Sequence, residues 1–282
     1  MNYVDSFSGS KFELFEKNKS IYIKKFYKKI NDRDLLSFEK QKNFQSYNLG
    51  EYIVQSADIK EIDKDKKFIT LNYYSGLSGS ELILNGDLQI HKFLNLFLKS
   101  YIKNLIDTSK FEKFDKEPYL LKCHEIKKEI LPKHMYLYKK MIKNIFSKLN
   151  NVKINLKGKC HGDLTLSNII IIKDFKKIIL IDFLKTYKES PIQDICKLIQ
   201  DLRLYWSSRR LNKSNMLRAK IFCDNLKPFL FTKKPSLYKL LDLEMSMTLL
   251  RILPYVSKND VETLRWLEIS FDKLCYNFYK NL

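Results

Sequence analysis

The sequence predicts an α+β fold in two lobes: a small β-rich N-lobe over residues 1–74 and a larger, mostly helical C-lobe over residues 75–282. Three observations carry this. Short segments bounded by turn residues precede residue 74 and read as strands. The small, flexible run Tyr73-Tyr74-Ser75-Gly76-Leu77-Ser78-Gly79 then interrupts the pattern as a hinge. From Asp87 onward apolar residues recur at helical spacing.

Taken in order, Ser8-Gly9-Ser10 is a turn and Phe12-Glu13-Leu14-Phe15 alternates as a strand. Glu16-Lys17-Asn18-Lys19-Ser20 is a polar hairpin turn into the strand Ile21-Tyr22-Ile23-Lys24-Lys25-Phe26. Period-two alternation places Tyr22 and Lys24 on one face and turns Lys25 away. Asp32 to Phe44 has an acidic start and loosely helical apolar spacing, and carries Glu39. Ile53-Val54-Gln55 and Phe68-Ile69-Thr70-Leu71-Asn72 are two further strands, joined through the charged turn Asp63 to Lys67.

Ile90, Phe93, Leu94, Phe97, Tyr101 and Leu105 define a core helix from Asp87 to about Ile106. Pro118 and Pro132 mark helix starts. Ser190-Pro191 opens another helix, with Ile192, Ile195, Ile199, Leu202 and Trp206 as its buried stripe and Asp194 in its first turn. Beyond Ser207 helices are broken at Pro228, Pro235 and Pro254.

The chemistry concentrates in Cys160-His161-Gly162-Asp163-Leu164-Thr165-Leu166-Ser167-Asn168. Ile169-Ile170-Ile171-Ile172 leaves this segment as a buried β-branched strand, and Ile178-Ile179-Leu180-Ile181 returns to Asp182-Phe183. This geometry is expected to bring Asp163, Asn168 and Asp182 together. Mg²⁺ takes hard oxygen ligands and keeps several waters, so Asp182 and Asn168 suit it. Asp163 suits a carboxylate that orients a hydroxyl and accepts its proton. His161 and Gly162 shape the loop.

These residues resemble the aminoglycoside phosphotransferase and choline kinase-like family of small-molecule kinases. Lys24, Glu39 and Tyr73-Tyr74 stand in the same order along the chain, so the resemblance spans about residues 8 to 206. It implies a protein-kinase-like fold, ATP (with GTP as the alternative), Mg²⁺, and transfer of the γ-phosphoryl group to a hydroxyl. On that resemblance Ser8, Gly9 and Ser10 cover the phosphates, Tyr22 packs on adenine and Lys24 meets phosphate. Glu39 pairs with Lys24, Tyr73 and Tyr74 line the hinge, and Asp194 braces the catalytic loop. Thr165 departs from the family, many of whose members carry His or a basic residue there.

Composition excludes other classes. The five cysteines are scattered with no CxxC pair, so free thiols are expected in place of disulfides or zinc. No apolar run approaches the ~20 residues that cross a bilayer. Met1-Asn2-Tyr3-Val4-Asp5 lacks the order of a signal peptide, so a cytoplasmic location is expected. The net charge of +20 is spread along the chain, with Ala only at 57 and 219 among abundant Lys, Asn and Ile. Such a spread disfavours nucleic acid as partner and is compatible with an anionic substrate or a negatively charged membrane surface. Arg209, Arg210, Arg251 and Arg265 make the C-terminal helices basic, which disfavours a polycationic acceptor. A neutral or anionic small-molecule alcohol such as a sugar, glycan or glycolipid precursor is expected. Glu244, Glu268 and Trp266 form an alternative site for a choline- or ethanolamine-type amine, and a catalytically silent binding module is the rival reading.

Overall fold

The structure, a computed structural model, describes residues 3–5, 11–172, 176–226 and 235–275. In chain order, β1 (Tyr3–Asp5), β2 (Lys11–Lys17) and β3 (Ser20–Phe26) are followed by α1 (Asp32–Lys42). Next come β4 (Tyr47–Leu49), β5 (Tyr52–Ser56), β6 (Ile59–Asp63), β7 (Phe68–Asn72) and β8 (Gly76–Ser78). Helices α2 (Gly79–Asn85) and α3 (Leu88–Asp107) precede β9 (Lys110–Lys113), α4 (Glu117–Glu129), α5 (Met135–Leu149) and β10 (Ile154–Lys157). The hairpin β11 (Ile169–Ile172) and β12 (Lys177–Leu180) leads to α6 (Pro191–Leu202), α7 (Lys213–Asn225), α8 (Pro235–Leu250) and α9 (Val261–Cys275). The expected α+β class is observed.

The chain divides into two compact units. The first is Met1–Gly79 with Ser167–Lys185, and the second is Ser80–Leu166 with Thr186–Leu282. The expected division after residue 74 therefore moves, because strand pairing reassigns two segments. β8 pairs with β11, and β12 lies parallel to β5, which draws the 169–180 hairpin into the first unit. Gly76 permits the first of these pairings: a Cβ there would lie 2.5 Å from the Ile171 carbonyl oxygen.

The first unit holds two five-stranded sheets, ordered β1-β2-β3-β7-β6 and β4-β5-β12-β11-β8. Asn18 and Lys19, both left-handed at φ 52° and 59°, form the two-residue turn between β2 and β3. The charged turn after Asp63 joins β6 to β7, and β5 belongs to the other sheet, so the expected β5–β7 connection is replaced. Between the strands and α1 lies a core of Phe38, Ala57, Ile59, Ile69, Leu71 and Ile179. Asn31 and Asp34 close a reciprocal cap at the start of α1, each side chain accepting the other's backbone N–H at 3.0 and 2.9 Å.

In the second unit α3 spans almost the predicted residues, with Asp87 accepting the Ile90 N–H at 2.9 Å. It buries Phe93, Leu94, Phe97, Leu98, Tyr101, Ile102 and Leu105, the expected stripe with Leu98 and Ile102 added and without Ile90, which is half-buried. Pro118 stands in the first turn of α4, and Pro132 opens a short 3₁₀ turn ahead of α5. α6 is buried along its whole length and packs on α8. Among the described residues no helix is long and apolar enough to cross a membrane.

Ile179, fully buried on β12, joins the first unit's core to the hairpin that ends at Asp182. Ile179→Ala is expected to lower stability by about 2–5 kcal/mol, read as a lower urea midpoint with an unchanged slope.

Candidate active site

The first unit holds a lysine, a carboxylate and an amide. β3 pairs Lys25 with Phe12 on one side and with Ile69 on the other, so Lys25 shares the face of the buried core. Its side chain is buried, and Nζ lies 2.7 Å from both Oδ1 and Oδ2 of Asp182. Lys24 occupies the opposite face, its ammonium over the rings of Phe68 at 4.6 Å and Phe15 at 5.2 Å. Tyr22 shares that face, stacked on Phe15 with centroids 5.5 Å apart. The expected pairing of Tyr22 with Lys24 on one face is observed, but the expectation that Lys24 points inward and Lys25 outward is reversed. Alternation alone does not say which face is core, and Ile23, of the same parity as Lys25, was the available signal.

Asp182 follows β12 in left-handed backbone, φ 59°, which few non-glycine residues adopt and which Asp tolerates better than most. The hairpin register pairs Ile169 with Leu180, and the Ile181 N–H donates to the Asn168 carbonyl at 3.1 Å. Asn168 and Asp182 therefore sit at neighbouring strand ends, one residue out of step. Burial, with help from Asp182, pushes the nearby Tyr27 phenol far above its ordinary range.

One face of α1 holds the segment after Asp182. Ser37 Oγ accepts from the Lys185 N–H at 2.8 Å, and the Lys40 ammonium donates to the Leu184 carbonyl at 3.1 Å. Arg33 donates to the Lys185 carbonyl at 3.3 Å, and the Gln41 side chain accepts from the Phe183 N–H at 3.4 Å. Glu39 lies off that face and is exposed, so the expected ion pair between Glu39 and Lys24 does not form. Tyr73 is exposed and donates its N–H to the Ile21 carbonyl at 3.0 Å, while Tyr74 packs against the first unit's core. Ser8, Gly9 and Ser10 lie outside the described residues.

The second unit holds the loop that carries Asp163. β10 delivers the chain to His161 and to Gly162, whose φ of 93° is one that glycine adopts without strain. Asp194, fully buried on α6, accepts the His161 N–H at 2.6 Å and the Gly162 N–H at 2.7 Å. His161 Nδ1 accepts the Asp163 N–H at 3.2 Å, and the Asp163 carbonyl accepts the Thr165 N–H at 2.8 Å. At the end of the loop Asp201 Oδ2 accepts the Leu166 N–H at 2.6 Å. Its other oxygen takes the backbone N–H and hydroxyl of Ser207 at 3.1 and 2.7 Å.

The Asp163 carboxylate pairs with Lys197, Nζ to Oδ1 2.9 Å. Burial pushes this carboxyl up, but Lys197, assisted by Arg251 and His161, outweighs that and holds it below its usual range. For Asp201 burial prevails over its hydrogen bonds and raises the carboxyl. Lys197 and Asp201 escaped the sequence reading because both lie on a helix that reads simply as core.

The proposed amine site is dispersed into other contacts. Glu244 is buried, and its oxygens accept the hydroxyls of Tyr119 at 2.6 Å and Tyr187 at 2.5 Å. Trp266 donates its indole N–H to the Leu204 carbonyl at 2.6 Å, and Glu268 accepts the Tyr136 hydroxyl. Arg251 donates to Gln193 Oε1 at 3.2 Å and lies over the Tyr187 ring. All five cysteines are free thiols, as expected, and among the described residues no cluster of three His, Cys, Asp or Glu could hold a metal.

No family model and no curated protein matches the chain's sequence. Solved structures do match its fold. A thermostable mutant of aminoglycoside phosphotransferase APH(4)-Ia superposes with a TM-score of 0.64 at 9% identity, covering 98% of this chain and 94% of that one. Plasmodium vivax ethanolamine kinase superposes with a TM-score of 0.54 at 15% identity, covering 100% of this chain and 84% of the other. The chain has their fold. The same APH(4)-Ia, as a ternary complex with AMP-PNP and hygromycin B, gives a TM-score of 0.60 at 9% identity over 97% of this chain and 92% of that one.

Asp194→Ala leaves the buried N–H groups of His161 and Gly162 without this acceptor. A loss of about 1–3 kcal/mol for each is expected in urea unfolding, with a smaller loss in Asp194→Asn, which keeps one acceptor oxygen.

Proposed function

We propose that this protein is an ATP- and Mg²⁺-dependent small-molecule kinase that transfers a γ-phosphoryl group to an alcohol. The observation that carries the reading is an ionised, anchored Asp163 five residues before Asn168, whose strand pairs with the one ending at Asp182. The solved structures of like fold support it, one of them a phosphotransferase holding AMP-PNP together with hygromycin B.

Asp163 orients the acceptor hydroxyl and takes its proton as the oxygen attacks the γ-phosphorus. The bond to the bridging oxygen breaks, and ADP leaves with that electron pair. Lys25 supplies positive charge for the phosphates in the place first read for Lys24. Asp182 and the Asn168 amide fit Mg²⁺, being hard oxygen donors at adjacent strand ends. When bound, the ion neutralises phosphate charge. Lys197 and Arg251 beside Asp163 favour a neutral or anionic acceptor over a polycation, and a sugar, glycan or glycolipid precursor fits.

Asp163→Asn is expected to reduce ATP-dependent phosphate incorporation into a panel of alcohols at least ~100-fold while Mg·ATP still raises the melting temperature. Undiminished transfer in this variant would remove Asp163 from the role of base. Mg·ATP at a hundred times its Kd is expected to add about 2.7 kcal/mol of apparent stability. Lys25→Met is expected to lose most of that gain and Lys24→Met to keep it; the reverse pattern would return the phosphate contact to Lys24.

A further inference from the structure

Three residues of α6 at positions i, i+3 and i+7 reach the same loop. Asp194 takes the N–H groups of His161 and Gly162, Lys197 takes the Asp163 carboxylate, and Asp201 takes the Leu166 N–H. This spacing puts all three on one helix face. The first and last fix backbone, and the middle one fixes the reacting side chain.

We propose that Lys197 is a positioning residue for phosphoryl transfer, one that locks the Asp163 carboxylate in place and in its charged form. The proposal rests on Asp163 being the base.

The side chain of Lys197 is only 10% exposed, against 34% for Asp163. A lysine buried so far is ordinarily paired, and here its ammonium lies 2.9 Å from Asp163 Oδ1. The contact restricts rotation of the carboxylate, which determines where a hydroxyl proton can be received. It also opposes the burial that would protonate an isolated carboxyl.

Among the described residues, charged and titratable groups from several elements surround the pair. His161 comes from the loop itself, Asp194, Cys196 and Asp201 from α6, Glu244 from α8, and Arg251 from the turn that follows α8. Asp194 and Asp201 receive backbone N–H groups of the loop, and Glu244 receives two phenol hydroxyls. Arg251 and His161 act on Asp163 more weakly than Lys197 does. Removing the lysine therefore leaves burial largely unopposed, and the Asp163 carboxyl must titrate at higher pH. The catalytically competent, ionised form then appears later as pH rises.

The test is a pH titration of ¹³C-labelled aspartate carboxyls by NMR in the full chain, with Asp163→Asn identifying the resonance. It is paired with pH–rate profiles on any alcohol that proves to be an acceptor. Lys197→Met is expected to raise the Asp163 midpoint by about 1–3 pH units, to move the acid limb of kcat/KM by the same amount, and to lower kcat more than it raises KM for ATP. Lys197→Arg is expected to restore the wild-type midpoint. An unmoved midpoint in a Lys197→Met protein that melts cooperatively overturns the proposal. If the Met variant does not fold, Lys197→Gln carries the same test, because it keeps a donor and loses the charge. Asp163→Asn that still transfers phosphate overturns the underlying assignment of the base. Loss of transfer in that variant with an unmoved midpoint in Lys197→Met overturns the role of Lys197 alone.

Discussion

Two backbone N–H groups, those of His161 and Gly162, end on the buried carboxylate of Asp194. A loop of this kind, left without an acceptor, would either open to water or fold its polar groups against apolar neighbours, and both alternatives cost several kcal/mol. Once that carboxylate is in place, Gly162 can hold its left-handed turn and His161 can stay buried with Nδ1 toward the Asp163 N–H. Asp163 then inherits a direction from the buried groups behind it. α6, buried along its length, serves as the anchor.

Each unit contains a carboxylate that faces a lysine. In the first, Lys25 spans both oxygens of Asp182; in the second, Lys197 holds one oxygen of Asp163. Such pairs contribute less to stability than their distances suggest, because taking both charges out of water offsets much of their attraction. Their value is orientation and charge state. Asp182 also carries left-handed backbone, and four side chains of α1 hold the three residues that follow it. Lys25 and Asp182 are thus fixed through the backbone on both sides of the ion pair.

Elements governed by local periodicity were legible: α3 with its Asp87 cap, the prolines at helix starts, and the apolar hairpin ending at Asp182. What was not legible depended on a choice between faces or on a distant partner. Lys24 and Lys25 are adjacent, and only knowing which side of β3 meets Ile69 and Leu71 tells them apart. Glu39 was read from helix order alone, yet the face of α1 that engages the chain after Asp182 runs through Arg33, Ser37, Lys40 and Gln41. Lys197 and Asp201 lie among apolar residues on α6, and their partners are far upstream. The pairing of β12 with β5 was equally invisible, since parallel neighbours leave no short-range trace.

Fold and substrate separate at this point. A structure of like fold holds hygromycin B, but a shared scaffold carries chemistry more readily than it carries an acceptor. In the second unit Lys197 and Arg251 place positive charge about Asp163. The carboxylates there face inward: Asp194 and Asp201 on backbone N–H groups, Glu244 on two phenols, with burial raising its carboxyl. An acidic cleft that would attract a polycation needs carboxylates turned to solvent, and these are turned to protein. The neutral or anionic alcohol proposed as acceptor would meet no such mismatch, because the cations beside Asp163 would favour its negative groups.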